Sequence, residues 1–243
     1  MQYSDFQPAY VLHSRAYRNT SLLVELFTKE AGRLTVVARG AKRPKSSWAG
    51  LLQPFVPLSL SYVGKHDLKT LREVELSGGM IKLDHMRLWC GLYINEVIMK
   101  VIHQHDPHPE LFVYYETLLR QLISASELAQ EQLLRRFERE LLKMLGYELQ
   151  LRQDADSHEL IKADAYYHYL PEIGLKRAPR YESDSSMIFS GKHILAIEAD
   201  ELDDLLVLRD AKKILRLALS PLLNYKVLQT SSILSKKFEV IND

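Results

Sequence analysis

Five basic side chains lie close together near the start of the sequence and could neutralise the phosphates of a polyanion. They are Arg33, Arg39, Lys42, Arg43 and Lys45. No Asp or Glu occurs from Ala31 to Val63, so the segment that carries these cations contains no carboxylate. Grouped cations attract phosphates without reading sequence. The segment therefore predicts an anion-binding surface, and the alternative is a solvated loop that only confers solubility.

These cations lie on or beside the segment 38–55, which is predicted to be a flexible loop between two rigid elements. Gly40, Pro44 and Gly50 disfavour a helix there. Short β-rich stretches, bounded by turn residues, flank the loop on both sides. They span residues 9–15, 21–28, 33–40, 55–63 and 68–76. Five short strands with no long helix among them predict a small closed barrel rather than an open sheet.

Small barrels of this kind bind single strands through a positive groove and stacking aromatic side chains. Trp48 and Tyr62 are the candidates for base stacking, although Trp48 could instead pin the loop to the barrel. Arg15 and Lys65 are predicted as outlying cationic contacts. The sequence thus predicts contacts to phosphates through the cations and contacts to bases through the aromatic side chains.

The remainder of the chain is predicted to be mainly helical, because the apolar period changes after Ser77-Gly78-Gly79. The predicted helices span about residues 84–104, 109–124, 127–145 and 200–219. The first should be buried, with Cys90 as a small core residue. Residues 150–195 read as a hairpin or irregular insert, and the tail after Tyr225 as polar and loosely held. The predicted fold is α+β, with a barrel domain over residues 1–79 and an α-helical domain over residues 80–243.

Three histidines follow the first predicted helix and raise the possibility of a metal site. His103, His105 and His108 could cluster, and imidazole is a common ligand of transition metals. Pro107 and Pro109 force a loop here, and neither Cys nor another His follows at a useful spacing. A loop that ends a helix is the better interpretation, and we predict no metal ion.

Two predicted helices carry basic faces. One has cations at i, i+3, i+4 and i+7, namely Arg209, Lys212, Lys213 and Arg216. On the other, cations recur every four residues at Arg135, Arg139 and Lys143. Solvated ion pairs within a helix explain such faces as well as a binding role does.

Composition excludes several classes of protein. The net charge is only +1, but residues 1–80 carry eleven Lys and Arg against six Asp and Glu, whereas the remainder is acidic. A single Cys cannot form a disulfide framework or a cysteine-based zinc site. We find no phosphate-binding glycine loop, nucleophile elbow or zinc-protease motif, and no apolar stretch typical of a membrane span or signal peptide. We expect a binding protein rather than an enzyme, in a reducing, cytoplasmic compartment.

Five segments, taken in order along the chain, carry a resemblance to a known family. They are residues 9–46, 52–60, 92–98, 106–112 and 133–151. In these segments the chain resembles the RecO family of bacterial DNA-repair proteins. The resemblance implies an N-terminal OB-fold barrel and an α-helical domain, binding of single- and double-stranded DNA, and annealing of complementary strands. It also implies a place in the RecF pathway at the nucleoid, where RecR and the single-strand-binding protein SSB assist in loading RecA.

The resemblance has one departure and one further implication. Many RecO proteins carry a four-cysteine zinc module after the third helix, but residues 151–170 contain no Cys, so we predict a metal-free insert and no cofactor. The family also implies a receptor for the acidic, hydrophobic-tipped tail of SSB. The predicted receptor cations are Arg135, Arg136 and Arg139, with the face of Lys212, Lys213 and Arg216 as the alternative.

Two rival hypotheses remain open from the sequence. One is a generic OB-fold RNA-binding protein whose helical part is a dimerisation module. The other is an enzyme whose site is assembled from scattered residues. A preference for structured RNA without annealing would favour the first, and turnover of nicked or gapped DNA would favour the second.

Overall fold

The computed structural model describes residues 4–48, 50–178 and 187–239, which fall into two compact units. The first, here called the barrel unit, comprises residues 1–125 together with residues 228–243. The second, here called the insert unit, comprises residues 126–227. The chain therefore leaves the barrel unit and returns to it. Whether residues 1–79 fold as a separate domain stays a prediction.

A closed five-stranded barrel forms the N-terminal part of the barrel unit, as predicted. Its strands are β1 (Gln7–Tyr17), β2 (Ser21–Thr28), β3 (Gly32–Ala38), β4 (Leu58–Val63) and β5 (Leu68–Leu76). The order around the barrel is β1-β2-β3-β5-β4, and only the β3–β5 pair is parallel. This is the five-stranded arrangement of an OB-fold. The 39–57 loop leaves the end of β3 and reaches the start of β4.

Alternation along the strands builds the barrel core. Val24 and Leu26 on β2, and Leu34 and Val36 on β3, are all fully buried. Their neighbours face outward, because successive side chains in a strand point to opposite faces. The strand geometry therefore decides which of these residues fill the barrel.

The helices α1 (His85–Val101) and α2 (Pro109–Leu122) follow the barrel in the same unit. Tyr10 on β1 lies edge-on to Tyr115 on α2, with ring centroids 5.2 Å apart. Cys90 on α1 is completely buried, which confirms that it is a core residue. Aromatic pairs in this geometry add about 0.5–1.5 kcal/mol beyond their buried area.

The prediction of a loosely held tail was wrong. Residues Gln229–Glu239 form a helix, α6, and Leu228 and Leu234 are buried. The carboxylate of Glu96 on α1 accepts hydrogen bonds from the backbone N–H groups of Gln229 and Thr230, each at 2.9 Å. A carboxylate at a helix N-terminus accepts hydrogen bonds from the free N–H groups and interacts favourably with the positive end of the helix dipole. The side chain that caps the N-terminus of α6, that of Glu96, is therefore distant from the helix in sequence. Residues 240–243 of the predicted tail lie outside the described residues.

In residues 126–178 and 187–227, the insert unit combines three helices with a small sheet. Its elements are α3 (Glu127–Met144), β6 (Tyr166–Leu170), β7 (Gly174–Ala178), β8 (Ile188–Ser190), α4 (Gly191–Glu198) and α5 (Leu205–Leu219). The sheet has the order β7-β6-β8. The predicted hairpin is confirmed as β6–β7, whereas α4 begins inside the stretch that we expected to be irregular. Residues 179–186 of the predicted insert lie outside the described part of the chain.

A single carboxylate organises the loop before β6. One oxygen of Asp154 accepts hydrogen bonds from the N–H groups of Asp156 and Ser157, at 2.9 and 2.8 Å. The other accepts from the N–H of Arg177 on β7, at 2.7 Å. These N–H donors, that of Ser157 foremost, hold the pKa of Asp154 below its usual value.

Candidate nucleic-acid interface

Consecutive turns shape the basic loop, which the sequence predicted to be flexible. The N–H of Arg43 donates to the carbonyl oxygen of Gly40, and that of Ser46 to the oxygen of Arg43, both at 3.0 Å. The N–H of Lys42 donates to the oxygen of Thr20 in the β1–β2 turn, at 2.9 Å. Hydrogen bonds thus define the backbone of the loop and tie it to the neighbouring turn.

Lys45 adopts a backbone conformation that glycine would adopt more easily. Its φ angle is 68°, and it is the third residue of the turn from Arg43 to Ser46, directly after Pro44. Proline at the second position and a positive φ at the third are the marks of a type II turn. A side chain there costs of order 1 kcal/mol relative to glycine. The ammonium group is therefore carried at a position where conformation alone favours Gly.

The turns enclose a shallow, open concavity of about 320 Å³. Three of its lining side chains are exposed cations, Arg39, Arg43 and Lys45. Within the described residues, none of the three has a carboxylate oxygen within 4.0 Å. Ser46, Ser47 and Trp48 line the rest of it. Such a hollow can hold a phosphate group between charge-assisted hydrogen-bond donors.

Four further cations lie near the same end of β3. Lys42 is exposed in the loop itself. Arg15 on β1 lies opposite Leu23 on β2, which in turn lies opposite Val37 near the end of β3. Sequence reasoning missed the other two, which are Arg18 in the β1–β2 turn and Arg72 on β5. Arg72 lies two residues beyond Thr70, the residue of β5 that pairs with Val37. The β3–β5 pairing, which a single sequence does not reveal, brings Arg72 to the loop, and the hydrogen bond from Lys42 to Thr20 brings the turn that contains Arg18 to it.

Two predicted contacts are not part of this group. The guanidinium of Arg33 donates to Glu25 at 3.1 Å and to the carbonyl oxygen of Ile102 at 2.9 Å, so it holds the chain after α1 against the barrel. Lys65 is exposed, but it lies in the turn that contains Asp67, near the start of β3. Six residues of strand, or about 20 Å, separate that end from Arg39.

The two aromatic candidates are used by the barrel. Trp48 and Tyr62 are both half-buried and pack against the barrel core. The hydroxyl of Tyr62 also accepts a hydrogen bond from the amide of Gln7, at 3.3 Å. The alternative role for Trp48, pinning the loop, fits this packing better than base stacking does.

The predicted receptor on α3 needs correction. Arg135 is 3% exposed and forms a 2.8 Å ion pair with Glu138, which is fully buried, so Arg135 cannot belong to a surface rim. Arg136 pairs with Asp200 at 2.7 Å in a solvated position. Arg139 donates to the carbonyl oxygens of Ile197 and Glu198, next to the C-terminal end of α4. These arginines chiefly hold α3 against the segment that follows it.

The basic face of α5 is more open. Arg209 and Arg216 are exposed, and Lys213 is half-buried. Lys212 is different, because it pairs with Glu131 at 3.1 Å and burial lowers its pKa. The exposed leucines Leu205 and Leu206 begin the same helix.

The three histidines lie apart from any ligand cluster. His108 pairs with Asp106 at 3.0 Å, and His105 lies 3.6 Å from Asp67. Over residues 4–48, 50–178 and 187–239, no three His, Cys, Asp or Glu side chains come together in a way that could hold a metal ion. In the same ranges, no helix has the length and apolar character to cross a membrane.

Comparison with known proteins matches nearly the whole chain to one family. The model "Recombination protein O N terminal" matches residues 1–80, and "Recombination protein O C terminal" matches residues 83–229. The chain is similar to "DNA repair protein RecO" of Nitrosospira multiformis, at 42% identity over 98% of this chain and 97% of the relative. It is also similar to the proteins of that name from Haemophilus influenzae, at 40% identity over 96% and 97%, and Coxiella burnetii strain RSA 331, at 39% identity over 94% and 97%.

Proposed function

Because the chain belongs to the recombination protein O (RecO) family, we propose that it acts in DNA repair by binding DNA strands and annealing complementary ones. The observation that carries the proposal is the concavity at the end of β3. Its cations Arg39, Arg43 and Lys45 are exposed and lack a carboxylate partner within the described residues. Such cations neutralise backbone charge without reading sequence.

Annealing requires two polyanions to approach while their bases stay free to pair. Loop cations on a closed barrel meet this requirement, since the barrel fixes the surface and the long side chains adapt to each phosphate. Arg15, Arg18, Lys42 and Arg72 extend the positive surface around the concavity. Screening by this surface lowers the repulsion between the strands and speeds their association.

We further propose that the protein works with RecR and SSB to load RecA on single-stranded DNA, without turnover of its own. The acidic, hydrophobic-tipped tail of SSB needs an apolar surface beside cations. On α5, the leucines Leu205 and Leu206 are 61% and 51% exposed, and Arg209 and Lys213 follow on the same helix. This arrangement supports the α5 alternative over α3.

Strand annealing of complementary oligonucleotides, bare and coated with SSB, tests the proposal. We expect the wild-type protein to accelerate annealing, and the double variant Arg39→Ala/Arg43→Ala to lose about tenfold or more of that acceleration. The matched control is Lys29→Ala/Lys65→Ala, which also removes two exposed cations from the barrel unit but should keep the activity. Unchanged annealing by the Arg39→Ala/Arg43→Ala variant would exclude the loop as the annealing surface.

A further inference from the structure

The side chains that line the basic concavity determine which part of a nucleic-acid strand can bind there. We infer that it binds the sugar–phosphate backbone alone and leaves the bases outside, so that it accepts any flexible chain of phosphates. This inference rests on the proposed function and names the ligand class of the same site. The residues proposed to bind the phosphates are Arg39, Arg43 and Lys45.

Among the described residues near the concavity, each aromatic side chain is at least partly covered by the protein. Trp48 and Tyr62 pack against the barrel core, and the hydroxyl of Tyr62 is bonded to Gln7. The guanidinium of Arg18 lies 5.3 Å from the centre of the Tyr17 ring and covers one of its faces. Binding by base stacking requires open aromatic faces in a row along the strand. Trp48, Tyr62 and Tyr17 are each partly covered, so these three rings do not present such a row of open faces.

The lining also lacks the side chains that read most base edges. Among the described residues, it consists of Arg, Lys, Ser, Gly, Pro and one Trp. Adenine and cytosine edges are read chiefly by Asn, Gln, Asp and Glu, because these groups offer the matching acceptors. Gln53 follows in the same loop, but its amide donates to the carbonyl oxygen of Gly50 at 2.9 Å. What remains is a set of charged donors and hydroxyls, which suits phosphate oxygens.

This chemistry has a consequence for pairing. A strand held only through its phosphates keeps the hydrogen-bonding edges of its bases in solvent, where a complementary strand can reach them. A site built on stacking would have to release each base before it paired. Backbone-only binding therefore suits an annealing surface, and it predicts that DNA, an abasic strand and inorganic polyphosphate compete for the same cations.

The test measures binding of the full-length protein to a labelled oligodeoxynucleotide and to an abasic oligomer with the same number of phosphates. Inorganic polyphosphate serves as the competitor. We expect the two oligomers to bind within about threefold of each other. We also expect polyphosphate to displace both, and Arg43→Ala/Lys45→Ala to weaken both equally.

Two contrary outcomes are distinguishable. If the abasic oligomer binds more than about tenfold weaker than DNA, while both still depend on Arg43 and Lys45, then bases are stacked and this inference fails. The proposed function survives in that case. If Arg43→Ala/Lys45→Ala leaves both affinities unchanged, the loop is not the binding site, and the proposed function fails along with the inference. Circular dichroism of the variant confirms that it is folded.

Discussion

The backbone N–H of Lys42 donates to the carbonyl oxygen of Thr20 over 2.9 Å, which joins the basic loop to the turn between β1 and β2. This contact brings the turn that contains Arg18 beside the loop, although Arg18 precedes Lys42 by 24 positions in the sequence. The candidate DNA surface is therefore made by the barrel end as a whole and extends beyond one segment.

Arg18 and Arg72 should each contribute to strand binding. Replacing either by Ala should weaken single-stranded DNA binding at low salt and reduce the slope of log affinity against log salt by about 0.7, the value for one phosphate contact. Fluorescence anisotropy across a salt series measures both quantities. Lys29→Ala is the control, because Lys29 is an exposed cation in the β2–β3 turn, at the other end of β2. Equal effects of all three changes would mean that only net charge matters.

Gly32 should be essential to the barrel unit. Its φ is +68°, and an added Cβ would lie 2.0 Å from the carbonyl oxygen of Asp106. We expect Gly32→Ala to lower the free energy of unfolding by about 2–5 kcal/mol, through backbone strain and overpacking. Urea denaturation measures this change.

The matched control for Gly32→Ala is Gly79→Ala. Gly79 is exposed, and its added Cβ would meet no atom within 4 Å. Its stability should stay within about 0.5 kcal/mol of the wild type. If Gly32→Ala changed the free energy of unfolding as little as Gly79→Ala, this result would contradict the close approach of β3 to residues 105–107.

Asp154 should make the insert unit sensitive to acid. Hydrogen bonds from backbone N–H groups lower the pKa of Asp154 in the folded protein, so the unfolded chain binds its proton more readily. The stabilisation is then full above the usual aspartate pKa of about 3.9, and it is lost as pH falls through the lower folded value. Asp154→Asn should remove about 1–3 kcal/mol at neutral pH and progressively less below about pH 4. Thermal melts from pH 7 to pH 3 that kept the difference constant would contradict this role.

Arg135 should matter for stability rather than for surface binding. It pairs with Glu138 in a buried position. Removing one partner of such a pair leaves a buried charge unpaired, so Arg135→Ala should lower the free energy of unfolding by about 3–5 kcal/mol. Arg136→Ala, one residue further along the same helix, removes a solvated pair with Asp200 and should cost at most about 1 kcal/mol. Chemical denaturation of the two variants compares them directly. Similar small losses for both would show that Arg135 is accessible after all.

Local patterns in the sequence predicted a large part of the fold. β-rich stretches bounded by turn residues marked the five strands, and helical spacing located α2 and α3 to within two residues. The basic loop was visible because a long acid-free segment with Gly and Pro is a local property. These features depend on neighbours in the chain, so one sequence is enough to detect them.

Properties that depend on distant partners were not predictable. The sequence predicts that Arg33 contacts phosphates, whereas in the structure its guanidinium donates to Glu25 and to the carbonyl oxygen of Ile102. The start of α6 depends on Glu96, which is 133 residues before Gln229. Arg72 joins the loop only because β5 lies parallel to β3. In each case the deciding contact is set by strand order or packing, which residue spacing does not encode.

The central claim is that cations at the end of β3 neutralise the phosphates of a bound strand. Its most direct test is the salt dependence of single-stranded DNA binding by Arg43→Ala/Lys45→Ala, set against Lys29→Ala/Lys65→Ala. The account predicts that the loop variant loses about 1.4 from the slope of log affinity against log salt, while the control variant keeps the wild-type slope. Identical slopes for the two variants would contradict it.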